Sequence, residues 1–194
     1  MNHHPLWAPW RLGYILGEEE QPRPLPDLPP GADPDSFICR AAVDPPALNA
    51  GKVDEGKAKS PGEHLDRHNL VIHRDEHCVT ILNRYPYNNG HLLIAPRAHK
   101  AQLGQLDDAE TLAAQRLLAR WVDVLTDRMR AEGFNVGLNL GKVAGAGLPG
   151  HLHWHIVPRW NGDTNFMPAL AAVKVIPQSL EALWELLHDA ARQG

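Results

Sequence analysis

The sequence predicts an α+β fold: a mainly antiparallel sheet of about five strands, one long helix and a C-terminal helix. Three observations carry this. Short Val-, Ile- and Leu-rich runs at 70–74, 78–83 and 91–96 are separated by turn-forming residues. A long amphipathic stretch follows Asp107, and two more strand patterns and a closing helix come after it. The order strands, helix, strands, helix suits segregated α and β elements rather than alternating βαβ units. With 194 residues the chain suits one domain with extensions, here read as a Trp/Pro-rich extension over 1–35 and a single domain over 36–194 that includes a C-terminal extension.

Residues 1–35 hold 8 of the 17 prolines, and the proline-rich stretch from Pro22 to Pro34 excludes a helix and favours an extended path across the surface. The beginning of the segment, residues 6–11, is different: Trp7 and Trp10 are costly to leave in water and are expected to dock on the body or on a partner subunit, an order-poor tail being the other reading. Residues 44–69 are polar, with Pro and Gly at both ends, and read as a long surface loop. The strand runs follow, the last two joined by Arg84-Tyr85-Pro86-Tyr87-Asn88-Asn89-Gly90, a turn-dense linker. Asp107-Asp108-Ala109-Glu110 is an acidic capping box, after which Leu117, Leu118, Trp121, Val122, Leu125 and Met129 share one helical face; Gly133 is read as its stop. Phe134, Val136, Leu138 and Leu140 alternate with polar or small residues, as in a half-buried strand. A second strand is read from His151 to Val157, and a final helix runs over roughly 179–192.

Composition narrows the function. A net charge of −4 from 19 basic and 23 acidic residues offers no broad face for nucleic acid. The apolar runs are far too short to span a membrane, and the N-terminus has no basic-then-apolar signal order. Two cysteines, Cys39 and Cys78, make no disulfide framework, so a cytoplasmic location is expected.

The 12 histidines direct attention to His151-Leu152-His153-Trp154-His155-Ile156. On a strand, His151, His153 and His155 project to one side while Leu152, Trp154 and Ile156 anchor the other. Such a row can track phosphates or hold a metal. Before it, residues 141–150 contain four glycines: either a flexible connection or a nest of backbone N–H groups for an anion, Gly145 and Gly147 among them. Next to an imidazole row the phosphate reading is the better one, and it suggests nucleophilic attack of a histidine on phosphorus.

These residues resemble the histidine triad (HIT) superfamily of nucleotidyl hydrolases and transferases. The resemblance runs from about Asn69 to Arg159 and includes Asn83 in Leu-Asn-Arg-Tyr-Pro, the Gly90-His91 pair and Ala95-Pro96-Arg97-Ala98-His99. The flanks, residues 6–11 and 158–168, look like the bacterial branch containing diadenosine tetraphosphate (Ap4A) phosphorylases, related to the Fhit-type hydrolases. The resemblance implies a HIT-like fold, with His153 as nucleophile on the α-phosphorus, His155 on the phosphate and His151 in the orienting hydrogen-bond set. It further implies ribose contact by Asn83, phosphate contact by Asn139, and a place for His91 near the site; a packed strand histidine is the other reading of His91. A nucleotidyl-His153 intermediate would pass to inorganic phosphate (phosphorolysis to ADP and ATP) or to water (AMP release). A nucleotide- or metal-binding module without turnover is a third reading.

Two departures matter. Many relatives complete a zinc site with Cys-x-x-Cys, a histidine like His99 and the first triad histidine. Here Ser36 replaces one cysteine, leaving Cys39, His99 and His151, so zinc is not expected and no cofactor is required beyond a Mg²⁺ ion that can accompany the substrate phosphates. Relatives also often place Ser, Thr or Gln before the triad. Residues 144–150 have none, which leaves backbone N–H groups or Lys142 to meet the leaving group. The expected partners are a dinucleoside polyphosphate and inorganic phosphate. The resemblance implies a homodimer, and Trp7, Trp10 and Trp160, read as exposed, could extend it to a tetramer.

Overall fold

A five-stranded antiparallel sheet forms the centre of the structure, a computed structural model that describes residues 28–45, 61–164 and 176–193. The strands are β1 (Val71–Arg74), β2 (Cys78–Leu82), β3 (Leu92–Pro96), β4 (Gly133–Leu138) and β5 (Trp154–Arg159), in the spatial order β1-β2-β3-β5-β4. Helices α1 (Phe37–Ala42), α2 (Pro61–Asn69), α3 (Asp108–Met129) and α4 (Leu180–Arg192) surround it. The α+β reading therefore holds. The N-terminal motif at 6–11, with Trp7 and Trp10, and the later part of the 158–168 flank lie outside the described residues.

The sheet is pinned to its helices by two fully buried tryptophans with satisfied indoles. Trp121 of α3 donates to Thr80 Oγ1 at 3.0 Å, and Trp184 of α4 donates to the Val71 carbonyl at 2.8 Å. Every residue of β2 and β3 is buried, and their in-register pairing, from Cys78 with Pro96 to Leu82 with Leu92, forms the floor of the core. Leu152, Trp154 and Ile156 join that core as expected.

Four details differ from the sequence reading. Residues 61–69 form α2, a polar helix whose Arg67 and Asp66 pair with Glu185 and Arg74; its stability comes from such tertiary contacts, not from an apolar stripe visible in sequence. Helix α3 ends not at Gly133 but at Arg130, which takes the left-handed conformation (φ 55°), while Gly133 opens β4. The last motif strand starts at Trp154, so His151 and His153 precede it. Trp160 is half-buried and donates to the Met129 carbonyl at 3.2 Å, so it is not the exposed surface proposed for a tetramer.

Candidate active site

Each motif histidine is held by a different hydrogen-bond partner, and those partners determine which nitrogen carries the proton. His153 Nδ1 lies 2.7 Å from the His151 carbonyl. A carbonyl only accepts, so Nδ1 carries the hydrogen and Nε2 keeps its lone pair. Burial lowers the His153 pKa, against the raising effect of that backbone bond, so the ring is neutral near pH 7. A neutral imidazole with a free Nε2 has the lone pair a nucleophile needs, and a carbonyl at Nδ1 is placed to stabilise positive charge on the ring.

His155 lies beside it, ring centroids 5.0 Å apart, and on its other side touches His91 Nε2 through Nδ1 at 2.9 Å. Asn139 reaches His155 Nε2 at 3.5 Å. Burial and then His153 push the His155 pKa down to about 4. His91 is fully buried, at the end of β3's entry turn, and is pushed down to about 3 by burial, His155 and His153. Asn83 stands beside it, Nδ2 to His91 Nδ1 at 3.1 Å. Thus His153, His155, His91, Asn83 and Asn139 form one contiguous cluster.

His151 belongs to a second cluster. Its Nε2 meets the Pro96 carbonyl at 2.9 Å, which leaves Nδ1 as an acceptor facing Ser36 Oγ (3.2 Å) and Cys39 Sγ (3.4 Å). Cys39 Sγ also lies 3.3 Å from His99 Nδ1. His151 therefore meets His153 only through its carbonyl, and the three imidazoles do not make one row. Cys39, His99 and His151 offer donors within 4.8 Å of one another. The fourth place is taken by Ser36 Oγ, an alcohol already engaged as N-cap of α1 by the Cys39 N–H (3.2 Å) and as partner of His151. Three N/S donors and a committed hydroxyl do not fit a closed structural zinc, which takes four such ligands.

The glycine-rich loop contributes shape and donors unevenly. Gly141 (φ 83°) and Gly145 (φ 88°) flank a 3₁₀ turn at Lys142–Ala144, conformations that exclude most side chains. The Gly145 N–H is engaged by the Lys142 carbonyl at 3.0 Å, so it is not a free anion donor. The N–H groups of Gly147, Leu148 and Gly150 have no acceptor among the described residues, and Lys142 has no ion-pair partner among them.

Two contributors were not visible in the motif. Tyr87, about half exposed, lays its ring over His155 (centroids 5.8 Å apart, 18° between planes) and donates its backbone N–H to His91 Nδ1 at 3.0 Å. Asn88 donates from Nδ2 to the Pro158 carbonyl (2.9 Å) and to Asp163 (2.8 Å), while Asp163 takes two hydrogen bonds from Arg159. This ties the turn holding Tyr87 and His91 to the end of β5. In sequence the only trace is the turn composition and the Arg159–Asp163 spacing.

A domain profile described as the HIT domain matches residues 65–162. An AP-4-A phosphorylase of Mycobacterium tuberculosis is 35% identical over 191 residues, covering 97% of this chain and 85% of that protein. Among solved structures, a Zn-bound histidine triad family protein from Mycobacterium smegmatis aligns with TM-score 0.53 and 28% identity, over 64% of this chain and 84% of that one. The Caenorhabditis elegans NitFhit protein aligns with TM-score 0.52 and 25% identity, over 64% of this chain and 27% of that one.

Proposed function

The chain belongs to the HIT domain family and is a nucleotide-processing enzyme of it, and we propose that it cleaves Ap4A-like dinucleoside polyphosphates with inorganic phosphate as acceptor. His153 Nε2 attacks the α-phosphorus, the bond to the bridging oxygen breaks, and ATP leaves. Phosphate oxygen then attacks the nucleotidyl-His153, the N–P bond breaks, and ADP is released. Throughout, Nδ1–H remains on the His151 carbonyl, so no proton has to move on the nucleophile. His155 donates to the phosphoryl oxygens where charge accumulates. The N–H groups of Gly147, Leu148 and Gly150, with Lys142, are the donors available to the polyphosphate chain. Asn83 is assigned to the ribose and Asn139 to phosphate.

The observation that carries this reading is the 2.7 Å bond from His153 Nδ1 to the His151 carbonyl, which leaves a neutral Nε2 beside a second neutral imidazole. The choice of phosphate as acceptor is supported by the M. tuberculosis relative, whose name is that of a phosphorylase. The test is product analysis of Ap4A turnover with and without phosphate. ADP plus ATP appearing only with phosphate is the expected result. AMP plus ATP, undiminished when phosphate is added, would make the protein a hydrolase. Tight binding with no products would make it a nucleotide sensor.

A further inference from the structure

We propose that His91 is a positioning residue whose task is to fix the proton of His155, holding that ring as the Nε2–H tautomer so that it meets substrate phosphate as a neutral donor. The reference to substrate rests on the function proposed above; the tautomer does not.

The hydrogen bonds around His91 leave one consistent assignment. The Tyr87 backbone N–H points at His91 Nδ1 from 3.0 Å and can only donate. The Asn83 amide reaches the same nitrogen from 3.1 Å with its Nδ2, and its other end cannot be turned there, because Oδ1 accepts the Tyr85 backbone N–H at 2.9 Å. Two donors on Nδ1 require a lone pair at that atom. A neutral His91 therefore carries its hydrogen on Nε2, 2.9 Å from His155 Nδ1. His155 Nδ1 must accept, which places the His155 hydrogen on Nε2, 3.5 Å from the Asn139 amide. No other hydrogen bond among the described residues fixes that amide, so its oxygen can be turned to accept there, whereas the Asn83 amide is fixed by Tyr85. The reverse assignment would set the hydrogen on Nδ1 of the buried His91 ring against the Tyr87 N–H and the Asn83 amide N–H, each clash leaving a donor unsatisfied.

The same chain opposes a second proton. Protonating His155 at Nδ1 would turn its hydrogen toward the His91 N–H, and protonating His91 at Nδ1 would turn one toward Tyr87 and Asn83. His155 thus acts as a hydrogen-bond donor without a full charge. Because Asn83 is also assigned to the ribose, occupancy of the ribose position and the proton on His155 are joined through one buried side chain.

The experiment reads the tautomer directly. Protein labelled with ¹⁵N-histidine is compared with the His91→Leu and His91→Gln variants, and a His155→Gln variant assigns the His155 resonances. In wild type at neutral pH, His155 Nε2 should show the shift of a protonated ring nitrogen and Nδ1 that of an unprotonated one. His91→Leu should convert these to exchange-averaged values and lower kcat about 10- to 100-fold with little change in KM, short of the roughly 10²–10³ that outright loss of a transition-state donor costs. Glutamine can accept from Tyr87 with Oε1 and donate to His155 with Nε2, so His91→Gln should restore both the shifts and most of kcat. A wild-type His155 protonated on Nδ1 or charged would overturn the proposal, and that measurement needs no variant to fold. So would unchanged His155 shifts in a folded His91→Leu. If the tautomer is as stated but no nucleotide is turned over, the function proposed above fails and the positioning role stands.

Discussion

Because the carbonyl of His151 fixes the tautomer of His153, loss of the ring should remove chemistry and little else. His153→Ala should lower turnover of Ap4A by at least about 10³-fold while binding, measured calorimetrically, weakens by less than about tenfold, since Asn83, Asn139 and the loop donors remain. Activity above a few per cent of wild type would remove His153 from the central role. The buried imidazoles also predict a pH dependence of stability. His91, His151 and His155 stay neutral in the fold down to about 3, about 4 and about 4, chiefly through burial. In the unfolded chain they protonate near their ordinary value of about 6.5. Between these limits the unfolded state binds more protons, so stability is complete above pH ~6.5 and is lost as pH falls toward ~4, by up to about 1.4 kcal/mol per pH unit for each such ring. Thermal melts should show a level Tm between about pH 7 and 8 and a steady fall below about 6.5. A Tm independent of pH down to about 4.5 would show that these rings are not held neutral.

Elements place these rings through two tight fittings. The first is Gly90, at φ 72°, which sets the β2–β3 turn just before His91. A Cβ there would lie 2.8 Å from Met129 Sδ and 2.9 Å from its Cε. The methionine can move, but the backbone conformation cannot be relieved. Gly90→Ala should therefore cost about 1–3 kcal/mol, read from the urea midpoint, and adding Met129→Ala should recover only the smaller, steric part. Full recovery in the double variant would show that φ was not the constraint. The second fitting is α1, whose Ser36 and Cys39 close on His151 and His99. We propose that this junction is held by hydrogen bonds, without zinc. Since affinity and folding free energy are the same quantity in a structural zinc site, exhaustive chelation should move Tm by less than about 2 °C. A drop of about 10 °C, restored by Zn²⁺, would show that Ser36 does complete a metal site.

At the scale of the whole molecule, the sheet ends on one side in β4, which pairs only with β5 among the described residues. Val136 and the following Leu140, expected to face inward, are about half exposed. An edge strand with unpaired backbone groups and exposed apolar side chains favours addition of another strand. We propose that two copies join their sheets there as a homodimer. Light scattering should give twice the chain mass for wild type and the monomer mass for Val136→Lys, with the melting profile of each concentration-dependent only for the former. A monomeric wild type would leave the β4 edge without this role. No helix among the described residues is long and apolar enough to cross a membrane.

The sequence by itself determined the order of strands and helices, the core faces of α3 and β5, and the identity of the chemical groups, because apolar periodicity and the alternating histidines are local patterns. Through its resemblance to the histidine triad family it also marked Ser36 as the departure from a four-ligand site. It could not show α2, whose polar residues make a helix only by pairing with α4 and β1. Nor could it show that the imidazoles divide between two clusters. Alternation along a strand placed His151 with His153 and His155, but His151 precedes β5, and its ring is drawn to the Pro96 carbonyl and α1. Which nitrogen of each ring holds a proton was likewise decided by the fold. The deciding groups, the Pro96 and His151 carbonyls and the Tyr87 N–H, are main-chain atoms, and main-chain atoms have the same identity at every position of a sequence. Only the packing of β3, β5 and their connecting turns aims them.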